Sequence, residues 1–305
     1  MDQDIILFRY HHNIDLVKNR LQLLKMMEPD KPIFGIYGGK HSDFKEAADV
    51  LNGWLENNFL IPVDDGKWKW LHGDITFKMW YQKVGKHIRF EDAYIVEWDL
   101  LILEALYNLY PTTNQNRIFC TGLIPLEKVS NFWYWMNEKN KPKVEAFFKQ
   151  VQDYYKTPFI RYASLGPGLC APRSFFEGLL DLRLFEADIS DELKIPVWSQ
   201  IMGLTPMAND FYKKWFSFFE MRCFNANMRN IRYRTIAREL NKKNGRRVFH
   251  PFGEAVEPNK LYRLYKNSSY TRDAASMKYG EEVKTIHPAF YKLHCKLFDL
   301  QCKIS

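Results

Sequence analysis

Short apolar runs alternate with stretches of helical periodicity along the first third of the chain. Asp4-Ile5-Ile6-Leu7-Phe8 reads as a first strand, ending at Arg9-Tyr10-His11-His12. Ile14, Leu16, Val17, Leu21, Leu23, Leu24 and Met27 recur at helical spacing behind Asn13, a natural N-cap, and Pro29-Asp30-Lys31-Pro32 stops that helix. Ile33–Tyr37 is a second strand, ending in Gly38-Gly39. Residues 43–58 read as a second helix and Trp68-Lys69-Trp70 as a short strand. A third helix begins after His72-Gly73-Asp74 and carries Phe77, Met79, Trp80 and Tyr81. The apolar run Tyr94-Ile95-Val96 is a buried strand that runs on to Asp99.

The remainder is read less regularly. Arg117–Gly122 is a strand after a polar turn at Pro111–Asn116, and 127–156 is helical in composition, anchored by Trp133, Trp135, Phe147 and Phe148. Ile160–Ala163 is a strand running into a loop, Ser164-Leu165-Gly166-Pro167-Gly168, and Ser174–Leu184 is a helix. Phe211, Trp215, Phe218 and Phe219 suggest a long helix over 208–227, with Asn209 or Asp210 at its start. Arg246–Pro251 is a short strand with His250 at its end. The order β-α-β-α-(β)-α-β predicts an α/β fold with a mainly parallel central sheet flanked by helices. Residues 1–258 are expected to form one domain. Residues 259–305 form a basic, tyrosine-rich C-terminal extension packing on it.

Charge changes this picture at one end. The net charge is +8 over 305 residues, but residues 229–305 hold 17 Lys/Arg against 7 Asp/Glu. That excess suits phosphate-bearing ligands, peripheral contact with an anionic membrane surface, or nucleic acid. Hydrophobic content of 46% and aromatic content of 16% exclude a disordered chain. No apolar run reaches membrane-spanning length, and the acidic start, Met1-Asp2-Gln3-Asp4, is unlike a secretory signal. Five scattered cysteines without CxxC spacing point to reduced thiols and a cytoplasmic setting.

The densest chemistry lies at Glu97-Trp98-Asp99. Two carboxylates follow a buried strand, where open α/β sheets bind their ligands. On a straight strand, residues i and i+2 share a face, and two hard oxygens there suit Mg²⁺ or Mn²⁺ carrying phosphate oxygens. The Gly38-Gly39 pair lets backbone approach a ligand or simply makes a tight turn.

Taken together, these stretches resemble the GT-A-type glycosyltransferases over roughly residues 4–252. The resemblance rests on Tyr37-Gly38-Gly39 after the opening strand-helix-strand, Glu97-Trp98-Asp99, Gly166-Pro167-Gly168, Phe219-Glu220-Met221-Arg222 and Phe249-His250-Pro251. It implies a Rossmann-like GT-A architecture and an enzyme that moves a sugar from a nucleoside-diphosphate sugar to a hydroxyl on a glycan, glycolipid or glycoprotein. It further implies a metal, Mn²⁺ or Mg²⁺, held by Asp99 and His250, with Glu97 assisting; the family's first acid is usually aspartate. Arg9, Tyr10, Gly38 and Gly39 fall where members bind base and ribose, and His72, Asp74 and Lys78 where ribose or phosphate is reached. Glu220 matches the general base of inverting members, which implies an inverting course. Two other classes compete. A nucleotidyltransferase-like enzyme would use a similar acid cluster but usually shows a Gly-rich loop and lysine near the first strand. A non-catalytic basic binding module lacks any nucleic-acid signature here, and no nucleic acid is expected as partner.

Overall fold

The computed structural model describes residues 3–11, 13–110, 116–243, 245–268 and 283–304, with side chains to residue 300. His12, most of the turn at 111–116, Asn244 and residues 269–282 of the tail lie outside them. The opening follows its apolar pattern. Strand β1 (Ile5–Tyr10) is an almost continuous buried run, as a strand covered on both faces should be. Helix α1 (Ile14–Met27) starts at Asn13, whose side chain accepts the Leu16 N–H at 3.2 Å from a left-handed backbone conformation. Strand β2 (Ile33–Tyr37) pairs parallel with β1.

The expected helix over 43–58 stops halfway. Helix α2 (Phe44–Val50) ends before Gly53, which sits at φ +81°, and Asn57–Leu60 forms strand β3, parallel to β2 at the sheet edge. Pairing with a preformed neighbour outweighs a helical composition that a positive-φ glycine interrupts. Trp68–Trp70 departs in the other direction. It lies in helix α3 (Gly66–Leu71), because Asp65 caps the N–H groups of Lys67 and Trp68. Helix α4 (Gly73–Lys83) follows as expected, then strand β4 (Asp92–Glu97), strand β5 (Leu101–Ile102) and the single turn α5 (Leu106–Leu109).

Strand β6 (Arg117–Pro125) and helix α6 (Lys141–Tyr155) come next; residues 127–140, read as helical, form turns that bury Trp133 and Trp135. Residues 162–172, read in part as a loop, are one long strand, β7 (Tyr162–Pro172), which accommodates Gly168 at φ +88°. Helices α7 (Arg173–Asp181) and α8 (Asp191–Ile201) lead to strand β8 (Thr205–Asn209). No long helix covers 208–227. That stretch holds the end of β8, strand β9 (Lys214–Trp215) and the single turn α9 (Phe218–Met221). Its aromatics anchor a loop to the sheet: Trp215 Nε1 donates to the Gly122 carbonyl at 2.6 Å, and Asn209 Nδ2 to Gly168 at 2.8 Å.

Helix α10 (Tyr233–Leu240), strand β10 (Val248–Phe249), helix α11 (Pro258–Lys266), strand β11 (Lys284–Thr285) and helix α12 (Tyr291–Ile304) complete the chain. Among the described residues the main sheet has seven strands in the order β3-β2-β1-β4-β7-β6-β8, parallel except for β7. It is a mixed α/β fold with helices flanking the sheet. The extension is tied down where it is described: Leu261 is fully buried in a second apolar cluster with Leu23, Leu101 and Phe249, and Tyr291 stacks on Phe132.

Candidate functional site

The chain leaves β1 toward β2 and β3 on one side, then crosses to β4 on the other. Such a reversal opens a crevice at the carboxyl ends of the strands. Register places Arg9 opposite Glu97 and Tyr10 opposite Tyr37, so three adjacent strands deliver polar residues to one rim. The crevice there is about 290 Å³ and is lined by Arg9, Tyr10, Gly38, Lys69, Glu97 and Trp98, with Trp70 at its edge.

Glu97 is the last residue of β4, and the backbone turns immediately after it, Leu100 N–H donating to the Glu97 carbonyl at 2.9 Å. The two acids therefore meet across a turn and not along a straight strand, which corrects the expectation drawn from their spacing. A second device brings in the third group. Strand β5 pairs antiparallel with β10, and Phe252 N–H donates to the Asp99 carbonyl at 2.8 Å. This clamp sets His250 beside Asp99. Ligand atoms of Glu97, Asp99 and His250 all lie within 4.8 Å of one another.

The triad has the donor chemistry of a cation site. His250 Nδ1 lies 2.8 Å from the Asn225 carbonyl and serves as its donor, so in the neutral ring the Nε2 lone pair faces Asp99 Oδ2 at 3.6 Å. Asp99 Oδ1 and His250 Nε2 are buried without a hydrogen-bond partner among the described residues. Orphaned buried polar atoms are costly, and a divalent cation would satisfy both. Burial would depress the His250 imidazolium, but the Asp99 carboxylate outweighs it and holds the pKa above the ordinary value. Burial likewise works against Asp99, yet His250 keeps it below the usual carboxylate range. Glu97 is raised by burial, against the pull of Arg9, whose NH1 lies 3.1 Å from Glu97 Oε1.

A pair of acids that sequence reasoning missed stands behind this rim. Ser190 caps α8, and Asp191 and Glu192 open it. Asp191 Oδ2 lies 3.5 Å from Arg9 NH1. Glycine at position 73 makes room for that carboxylate, since a Cβ there would collide with it. Glu192 accepts the Gly166 N–H at 3.0 Å and the Trp135 indole N–H at 3.3 Å. A Cβ on Gly166 would lie within 4 Å of both Glu192 Oε1 and Glu97 Oε1, so the two carboxylates flank one point. Burial first, and neighbouring Asp191 next, push the Glu192 carboxyl up to about 7. A serine followed by two acids is a helix-start signal, and it was the available clue to this element.

The remaining sequence-derived residues divide. Arg9, Tyr10 and Gly38 line the crevice; the Tyr10 hydroxyl accepts from Asn58 Nδ2 at 2.6 Å. Gly39 has no room for a side chain against the Tyr37 hydroxyl, and its carbonyl takes Lys69 Nζ at 2.5 Å. Asp74 is not at the crevice. It is fully buried, 3.0 Å from Lys194 Nζ and bonded to Trp198 Nε1, while Lys194 also meets His72 Nδ1 at 2.8 Å. Lys78 is spent on the carbonyls of Leu180 and Leu182 at the end of α7. Glu220 lies outside the triad; its carboxylate pairs with Arg246 and accepts the Lys213 N–H.

No family of known sequences matches the chain, and no curated protein does. Among solved structures it is similar to a galactosyltransferase, LgtC, in complex with donor and acceptor sugar analogs, at 14% identity over 89% of this chain and 98% of that one, with a TM-score of 0.39. An active-site mutant of LgtC gives 14% identity and a TM-score of 0.43, at the same coverage. A bifunctional glycosyltransferase, WbbM, gives 8% identity over 88% of this chain and 50% of that one, at 0.41. Likeness this distant leaves function to be argued from the side chains. None of the helices among the described residues is long and apolar enough to cross a membrane.

Proposed function

We propose that the protein is a metal-assisted glycosyltransferase that takes a nucleoside-diphosphate sugar as donor. The observation that carries this reading is the Glu97–Asp99–His250 triad, with Asp99 Oδ1 and His250 Nε2 unsatisfied and with Glu97 lining the β1/β4 crevice. Asp99 and His250 would hold Mn²⁺ or Mg²⁺, imidazole favouring Mn²⁺. When bound, such an ion neutralises charge on a departing diphosphate.

The protein's own groups supply the rest. Arg9 is held by Glu97 and Asp191 and presents a fixed guanidinium to the crevice. Gly38 and Tyr10 line it, and a ribose and base would bind there. Glu192, with its carboxyl at about 7, is the proton acceptor best placed for an acceptor hydroxyl, because it faces the same point as Glu97. Glu220, the other candidate base, is taken up by Arg246. Positioning and electrostatics do most of the work in a site of this kind.

The test is donor turnover. Purified protein is incubated with a panel of nucleoside-diphosphate sugars, with Mn²⁺ or with chelator, and nucleoside diphosphate release is followed. Release that depends on Mn²⁺ and on Asp99 supports the reading. No release from any donor, with no thermal stabilisation by any nucleoside diphosphate plus Mn²⁺, removes it. The anomeric configuration of the product decides between an inverting and a retaining course.

A further inference from the structure

Trp70, which lines the crevice, and Tyr134, whose ring meets the same neighbour, have no structural use for their outer faces. Trp70 is 54% exposed and Tyr134 59% exposed. Both lie against one buried ring, Trp135, with centroids 5.6 Å and 5.2 Å away. Trp135 is itself pinned, because its indole N–H donates to Glu192 Oε2 at 3.3 Å. An exposed tryptophan forfeits the stabilisation that burying its ring would bring. Here it is fixed as well: α3 is capped by Asp65, and the preceding residue, Lys69, is anchored to Gly39 and Asp64. A rigid, outward indole separated from a carboxylate by one ring, Trp135, is a pairing that a sugar ring can span. The apolar C–H face of a pyranose packs on the indole, and its hydroxyls reach the acid.

We propose that Trp70, with Tyr134 beside it, is the platform on which a pyranose ring of the acceptor stacks, presenting its hydroxyl to Glu192. This rests on the transferase reading and narrows its acceptor to a glycoside, as against a peptide side chain or a lipid hydroxyl. Trp135 couples the two functions: the ring that supports the platform also holds the carboxylate. Trp70 and Glu97 line the same crevice, so the platform stands beside the donor-side groups.

Saturation-transfer NMR tests it with methyl β-D-glucopyranoside, methyl β-D-galactopyranoside and their α-anomers as probes. Saturating the aromatic protons of the wild-type protein should mark the protons of one pyranose face in at least one glycoside. Trp70→Ala should lower that signal by about five- to tenfold, and Trp70→Phe should recover part of it. Tyr134→Ala should lower it less. Melting midpoints of all variants are measured alongside, and the Phe variant carries the conclusion if the Ala variant is unstable. No transfer to any glycoside in the wild type overturns the proposal. So does a signal that Trp70→Phe and Trp70→Ala leave unchanged, or a loss confined to uridine diphosphate binding, which would make Trp70 a base platform. Absence of nucleoside diphosphate binding in the wild type, with glycoside transfer present, sinks the transferase reading and leaves the sugar platform standing.

Discussion

His250 turns Nε2 toward Asp99 Oδ2 at 3.6 Å because its other ring nitrogen is held by the Asn225 carbonyl. The same bond fixes the tautomer a metal ligand needs. In the metal-free protein, His250 is raised and Asp99 lowered, so the pair favours imidazolium beside carboxylate. The raised His250 contributes stability below its unfolded value and loses it as pH climbs through the folded value. The lowered Asp99 contributes stability above its own unfolded value and loses it as pH falls. A cation must displace the His250 proton. Mn²⁺ affinity, read by electron paramagnetic resonance, should therefore rise as pH climbs above the ordinary imidazole range. Asp99→Ala should abolish it while far-ultraviolet circular dichroism stays unchanged. A pH-independent affinity, or one that survives Asp99→Ala, would remove the triad as the site.

The Asp74–Lys194 pair is a stability element, and its loss should show in melting and not in nucleotide affinity. Both side chains are fully buried, and Asp74 also holds Trp198. Removing one charge strands the other in a low dielectric, a change that costs about 3–5 kcal/mol. Lys194→Met should therefore lower the melting midpoint strongly. Adding Asp74→Asn in the same chain should recover part of the loss. A nucleotide affinity that falls with Asp74→Asn at unchanged stability would return Asp74 to the binding site.

The C-terminal segment carries core. Leu261 is fully buried against α1 and α10, and the Tyr265 hydroxyl donates to Glu104 at 3.0 Å. Leu261→Ala should cost about 2–5 kcal/mol, as deletion of a buried leucine side chain does. Removing residues 259–305 should destabilise the protein further, which chemical denaturation will show. A truncated protein with unchanged stability would mean that the extension merely decorates the surface.

What the sequence disclosed follows from which forces are local. The β1-α1-β2 start was legible because Asn13 caps its helix and Ile5–Phe8 is apolar without interruption. Asp99 and Glu97 stood out because acids after an apolar strand mark a sheet's ligand end. Residues 208–227 misled because loop aromatics that reach back to Gly122 and Phe132 happen to recur near helical spacing. Asn57–Leu60 became a strand only through its partner β2, which no local pattern announces. Asp191 and Glu192 lie in a segment where nothing near in sequence indicates Arg9 or Glu97. The contact is made by folding α8 back onto the sheet, 182 residues after Arg9 and 95 after Glu97.

Glu192 and Glu220 make opposite predictions, and the comparison identifies the proton acceptor. Glu192 has a carboxyl raised to about 7 and a place beside Glu97. Glu220 is bound to Arg246 and to the Lys213 N–H. Glu192→Gln should leave nucleoside diphosphate affinity intact and cut transfer by about 10²–10⁴-fold, the usual loss with a general base. In the wild type the transfer rate should fall as pH drops below about 7 with the Glu192 carboxyl taking up its proton, and that limb should vanish in the variant. A second readout does not depend on turnover. The native Glu192 carboxyl binds its proton more tightly than an unfolded one, so it lowers stability as pH rises from the unfolded value through about 7. Glu192→Gln removes that cost, and the variant should melt higher than the wild type at pH 8, the gap closing by pH 5. Glu220→Gln should instead lower stability by roughly 1 kcal/mol, the scale of a partly exposed ion pair, with transfer nearly unchanged. Full transfer in Glu192→Gln together with a 10²-fold or greater loss in Glu220→Gln would hand the role to Glu220. The Arg246 ion pair would then have to open whenever the acceptor binds.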